Sequence, residues 1–255
     1  MNPVYTSAVA ASITTFKLAG WDVRVRGAEH VPARGGGVVA TNHVGYLDFV
    51  FAGYGVRERG GRRLRFVAKR EVFDHPVGGP LMRSMGHIRV DRGGDTATAM
   101  REVAAALTDG DLVGMFPEGT ISRSFVPLPG RPGAAKMAMD AGVPLIPGAV
   151  WGSQRISTKG RKPRAAPRIV VTVTFGPPIA YTPDEPASTV HGRLMGAIRG
   201  LVDHAQRTYP QRPAGPDDAW WQPAHLGGSA PTVEEAEAAA AADSAERRRR
   251  RATGG

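Results

Sequence analysis

His43 and Asp48, in the stretch Thr41-Asn42-His43-Val44-Gly45-Tyr46-Leu47-Asp48, put an imidazole and a carboxylate within reach of one another. Five residues of helix turn through about 500°, so the two could not share a face if both were helical. They meet only if His43 precedes a helix and Asp48 lies in its first turn. Gly45 lets the intervening chain fold back, and Asp48 then accepts a hydrogen bond from one ring nitrogen while the other is left as a base. A base held in one tautomer can take the proton of a hydroxyl as that hydroxyl attacks an acyl carbonyl. On the spacing alone the plainer reading wins, with Asp48 as a helix cap and His43 as an ordinary loop histidine, and the rest of the chain has to decide.

The elements around the pair have the required order. Gly35-Gly36-Gly37 leads into the short apolar run Val38 to Thr41, a buried strand. Tyr46 to Arg57 follows with Leu47, Val50, Phe51 and Tyr54 at helical spacing. Further strands are expected at Leu64 to Ala68, His87 to Val90, Leu112 to Phe116, Leu145 to Trp151 and Ile169 to Phe175. Helices fall between most of them, the clearest being Thr96 to Leu107 with Asp95 as its N-cap. This alternation implies an α/β fold with a mixed β-sheet flanked by helices, function collecting at strand ends. Tyr5, Val9, Ile13 and Phe16 form a helical stripe that either packs on the domain or dips into a membrane interface. From Pro210 the composition turns to Pro, Gly, Asp and Trp, then to an alanine-rich acidic segment and an arginine run. The expected organisation is residues 1–26 as an amphipathic helix and lead-in, 27–209 as the catalytic domain and 210–255 as a disordered C-terminal tail.

Three other stretches carry chemistry. Phe116-Pro117-Glu118-Gly119-Thr120 follows a strand, and Gly86-His87-Ile88-Arg89-Val90-Asp91-Arg92 ends one in charged residues. Val143-Pro144-Leu145-Ile146-Pro147 is an apolar strand whose prolines suggest an edge or a pocket wall. With Asn42-His43 and Asp48, these resemble, in order and spacing, the four motif blocks of the glycerolipid acyltransferases, the 1-acylglycerol-3-phosphate acyltransferase group. The resemblance runs from about Gly27 to about Pro178, with Lys69-Arg70-Glu71 also in its familiar place. It implies that His43 and Asp48 are catalytic, with acyl-CoA or acyl-ACP as co-substrate and no cofactor or metal. It further implies that Asn42, Lys69, Arg92, Glu118, Gly119 and Thr120 bind a lysophospholipid acceptor, Lys69 and Arg92 at its phosphate. The reaction expected is lysophosphatidic acid to phosphatidic acid, in phospholipid biosynthesis. Two positions depart from the family pattern. Ile121 stands where an arginine commonly follows the threonine, with Arg123 as a possible additional phosphate contact, and Gly45 stands where a serine is common. The first departure keeps open a different acceptor, such as another lysophospholipid or a glycolipid hydroxyl.

Composition narrows the classes. The 255 residues contain no cysteine, so thiolate chemistry and disulfides are excluded. The formal charge is +10. Its excess lies in Arg57 to Arg70 and Arg155 to Arg168, because acids and arginines balance after residue 230. Such surfaces attract polyanions, whether anionic lipid, coenzyme phosphates, an acidic carrier protein or nucleic acid. Nucleic acid is not expected as a partner, since aromatics are not interleaved with the basic stretches. A non-catalytic lipid- or nucleic-acid-binding protein is the outside alternative. His87 and Asp91 are roughly 13 Å apart on a strand and cannot form a dyad. There is no G-x-S-x-G elbow, P-loop or Rossmann glycine pattern. No apolar run reaches the length of a membrane span and no signal peptide is evident, so the expectation is a peripheral protein on the cytoplasmic face of a membrane.

Overall fold

The computed structural model describes residues 3–76, 78–91, 96–164 and 166–253. Asp95 and Arg92 lie outside them. One seven-stranded sheet, in the order β1-β7-β6-β2-β5-β3-β4, forms the centre. Its strands are β1 (Asp22–Arg26), β2 (Gly37–Thr41), β3 (Leu64–Lys69), β4 (Ile88–Val90), β5 (Leu112–Met115), β6 (Leu145–Trp151) and β7 (Val170–Phe175). All neighbours are parallel except β6 and β7, so the sheet is mixed, as the alternation of elements implies.

The apolar strands β2 and β6 are buried along their whole length because both sheet faces are covered. Successive side chains point to opposite faces, and the core divides accordingly. Val38, Ala40, Leu145, Ala149 and Val113 face α5 (Thr96–Thr108), α6 (Gly133–Ala141) and α7 (Ala187–Arg207). Val39, Ile146, Val150 and Leu112 face α1 (Pro3–Ala19) and α2 (Asp48–Arg57). The short helices α3 (Arg70–Phe73) and α4 (Gly78–Ser84) link β3 to β4. In α7, Val190, Leu194, Ile198 and Val202 recur every four residues and are buried on the sheet.

Several expectations change. The stripe on α1 packs inward: Phe16 stacks on Phe51 at 5.0 Å between centroids, and the Tyr5 hydroxyl accepts the Leu64 N–H at 3.2 Å. Tyr5 and Phe16 are thus buried against the domain, while Val9 and Ile13 stay part-exposed. Residues 22–26, assigned to a lead-in, form an edge strand in which Val23 and Val25 pack inward between exposed charged neighbours. β6 is not an edge, since it lies between β7 and β2. Pro147 is tolerated there because the β7 ladder begins only at Gly148, and its carbonyl accepts the Gly176 N–H at 2.9 Å.

Residues 216–230, expected within the disordered tail, differ most. Trp220 and Trp221 are buried with Trp151, Tyr209, Val170 and Ala230 in a third apolar cluster. Arg161 lies over the Trp220 ring at 4.2 Å and Arg155 over Trp221 at 4.4 Å. Two indoles bury enough surface to hold a stretch that its Pro and Gly content alone would leave unstructured. A last helix, α8 (Val233–Thr253), follows. Among the described residues, no helix is long and apolar enough to cross a membrane.

Candidate active site

β2, β3, β4, β5 and β6 run parallel to one another, so their C-terminal ends share one edge of the sheet. Ligand sites in open α/β sheets form at that edge. The segments leaving β2, β5 and β6 meet there around His43.

Asn42 anchors the first segment. It is fully buried, its amide nitrogen donating to the Val150 carbonyl at 3.1 Å and its oxygen accepting the Val150 N–H at 2.8 Å. It therefore cannot touch an acceptor as the resemblance implies; it ties the end of β2 to β6, and so fixes where His43 begins.

His43 Nδ1 lies 2.9 Å from Asp48 Oδ2. The same oxygen accepts the Val44 N–H at 2.7 Å and the Gly45 N–H at 2.8 Å, while Oδ1 accepts the Ser153 hydroxyl. Asp48 is the first residue of α2 but reaches back along the chain rather than capping the helix. With no exposed surface, it accepts three hydrogen bonds besides the His43 contact. A carboxylate in that setting requires Nδ1 to donate, which leaves the Nε2 lone pair of His43 free as a base. The imidazole is partly exposed and stacks on Phe116 at 3.9 Å and 5°, which fixes its plane.

The segment after β5 supports the histidine from the other side. Glu118 Oε1 accepts the His43 N–H at 2.7 Å and Oε2 accepts the Leu128 N–H at 2.9 Å. Burial pushes the Glu118 carboxyl up to about 8, opposed by those two N–H groups and Arg199, and reinforced by Asp48. Its geometry makes Glu118 a brace for the His43 backbone. The Ser122 N–H also donates to the His43 carbonyl at 2.9 Å. Gly119 takes φ +66° in the tight turn before Thr120, which is half-buried.

The segment after β6 closes the third side. The Thr158 hydroxyl donates to the Val44 carbonyl at 2.7 Å and the Tyr46 N–H to the Ser157 carbonyl at 3.0 Å. A Cβ at Gly45 would come within 2.9 Å of both the Ser153 hydroxyl oxygen and the Ser157 carbonyl oxygen. A side chain at position 45 would thus crowd this loop, and the Ser153 hydroxyl borders the space that it would take.

Three comparisons bear on this arrangement. The acyltransferase family model matches residues 22–151. The chain belongs to this acyltransferase family. It is 31% identical over 130 residues to 1-acyl-sn-glycerol-3-phosphate acyltransferase of Bacillus subtilis, covering 51% of this chain and 63% of that protein. It is 35% identical over 175 residues to the alpha form from Mus musculus, covering 66% of this chain and 59% of that one. The chain thus spans less than two-thirds of these curated relatives. The fold is shared with a crystal structure of the 1-acyl-sn-glycerophosphate (LPA) acyltransferase PlsC from Thermotoga maritima. That likeness has a TM-score of 0.65 at 21% identity and covers 81% of each chain.

The acyltransferase match ends at Trp151, so Ser153, Thr158 and everything C-terminal lie beyond it. Of the remaining expected site residues, Lys69 is the last residue of β3, at the same sheet edge as His43, and is half-buried. Ile121 is buried and lines a cleft with Thr120 and Arg123. Arg123 pairs with Asp243 of α8 at 2.9 Å. Ser153 is a contributor that sequence reading did not single out, and Phe116, named there only as the start of its motif, is the ring on which His43 stacks. A Gly-Ser step directly after a buried strand was the available signal for Ser153. Gly152 takes φ +101° with its Cβ position only 2.2 Å from the Val170 carbonyl oxygen, a turn closed to other residues.

Proposed function

We propose that this chain is a 1-acylglycerol-3-phosphate O-acyltransferase, moving a fatty acyl group from acyl-CoA or acyl-ACP to the free hydroxyl of lysophosphatidic acid. The observation that carries the reading is the His43–Asp48 contact, with both oxygens of Asp48 also accepting from the Val44 and Gly45 N–H groups and the Ser153 hydroxyl. His43 Nε2 takes the acceptor's proton as its oxygen bonds to the thioester carbonyl carbon. The tetrahedral intermediate then breaks its C–S bond, and the leaving thiolate takes that proton from the imidazolium. The histidine is regenerated and no acyl-enzyme forms. In this reading Lys69 and Arg92 hold the acceptor phosphate, and Gly119 and Thr120 line its glycerol. Charge-assisted donors at the phosphate would also fix the hydroxyl near the base. The excess positive charge brings the protein to an anionic bilayer as a peripheral protein on the cytoplasmic face.

Ile121 favours one second reading. An apolar, buried side chain where the family commonly has an arginine suits a phosphate-free acceptor hydroxyl, as on a glycolipid. Incubation with acyl-CoA or acyl-ACP and a panel of lysophospholipids and glycolipids, with products identified by mass spectrometry, separates the two. Phosphatidic acid as the main product supports the first reading. Acylated glycolipid with no phosphatidic acid replaces it by the second.

A further inference from the structure

Two cations stand beside the His43–Val44 backbone. Arg123 follows Ser122, whose N–H donates to the His43 carbonyl, and Lys159 follows Thr158, whose hydroxyl donates to the Val44 carbonyl. The two loops that carry them leave β5 and β6, which flank β2 in the sheet. Both cations converge on one carboxylate, Asp243 Oδ2, at 2.9 Å from Arg123 and 3.4 Å from Lys159. Asp243 belongs to α8, whose Ala236 and Ala240 form the far wall of the cleft that Thr120, Ile121 and Arg123 line on the body. The three side chains are only 21–32% exposed, so the pairing is better shielded than a surface ion pair.

The pairing is incomplete. Among the described residues, the one carboxylate of Asp243 pairs with both cations, and the Arg123 Nε–H is buried with no hydrogen-bond partner. An unsatisfied buried donor is costly, and a phosphate group offers three acceptor oxygens where Asp243 offers two. The helix that carries Asp243 is lightly held: Ala236 is its one buried residue among those whose burial is described.

We propose that Arg123 and Lys159 form a phosphate subsite beside the dyad, and that Asp243 of α8 occupies it until a phosphate monoester displaces the carboxylate. The subsite stands in for the arginine that Ile121 replaces. Its role in turnover rests on the reading of the acceptor given above; its affinity for phosphate does not. Asp243 then acts as a built-in competitor, and acceptor affinity depends on a helix outside the matched family segment.

The test uses the full-length protein and two probes, inorganic phosphate and lysophosphatidic acid in neutral phosphatidylcholine vesicles. Binding of each is measured calorimetrically, without acyl donor, for the parent, Asp243→Asn and the triple variant Asp243→Asn, Arg123→Gln, Lys159→Gln. Asp243→Asn keeps the side-chain shape and removes the competing charge. The expected result is tighter binding of both probes, by about three- to five-fold, with the gain lost in the triple variant. Tightening of inorganic phosphate alone also supports the subsite and assigns it to a free anion rather than a lipid headgroup. Unchanged or weaker phosphate binding in Asp243→Asn, or a gain that survives in the triple variant, overturns the proposal. If phosphate binding tightens but lysophosphatidic acid is never acylated, the subsite stands and the acceptor assignment fails.

Discussion

Ser153 donates its hydroxyl hydrogen bond to Asp48 Oδ1, the carboxylate oxygen turned away from His43. The contact joins the loop after β6 to the dyad on β2 and α2, and it makes Ser153 a positioning residue. Ser153→Ala leaves one oxygen of a fully buried carboxylate without its donor, an arrangement that costs about 1–3 kcal/mol. The expected outcome is a fall in kcat of about ten-fold with KM for the acceptor nearly kept, and partial recovery in Ser153→Thr. Steady-state kinetics on the three proteins check this; an unchanged kcat in Ser153→Ala removes Ser153 from the account.

Gly45 and Ser153 compete for one space. Gly45→Ser alone is expected to destabilise the protein by about 1–3 kcal/mol, because its Cβ meets the Ser153 hydroxyl and the Ser157 carbonyl. In Gly45→Ser, Ser153→Gly the hydroxyl is supplied from the other side and part of the clash is gone. Denaturant unfolding of the two singles and the double gives their coupling. Strict additivity would show that the two positions do not share the site.

Two buried groups should shape stability against pH in opposite senses. Burial, with Arg65 adding to it, lowers His87 from its ordinary 6.5 to about 4. His87 Nδ1 accepts the Phe66 N–H at 2.9 Å and so must be neutral. As pH falls from 6.5 to 4 the unfolded chain takes up a proton that the folded chain refuses, so stability falls, by about 3 kcal/mol at most. Glu118 is raised from 4.5 to about 8, so between those values the unfolded chain loses its proton first and stability falls as pH rises. Thermal melts from pH 4 to 8.5 are expected to show His87→Asn flattening the acid limb and Glu118→Gln the alkaline limb. Parallel curves for parent and variants would contradict both assignments.

What sequence alone conveyed follows from how local each signal is. The buried strands β2 and β6 and the 3.6-residue period of α5 stand out because every residue contributes to the pattern. β1 escaped because charged residues alternate with Val23 and Val25 on an exposed edge. The Trp220–Trp221 segment escaped because its partners, Trp151, Val170 and Tyr209, are distant or unremarkable in sequence. His43 and Asp48 were legible as a pair from the strand-to-helix junction and the fold-back at Gly45. Ser153 was not, since its bond to Asp48 crosses 105 residues. Asn42 shows the converse difficulty: adjacency to the dyad suggested a substrate contact, and only the Val150 backbone reveals a brace.

The role proposed for His43 is that of the base in acyl transfer to lysophosphatidic acid. The most direct measurement follows phosphatidic acid formation by mass spectrometry for parent and His43→Ala, with acyl-CoA and acyl-ACP each offered as donor. Lysophosphatidic acid binding is measured in parallel on both proteins. The expected result is phosphatidic acid from the parent and a loss of roughly 10²–10⁴-fold in turnover in the variant, with acceptor binding retained. Phosphatidic acid formed by His43→Ala at close to the parent rate would contradict it.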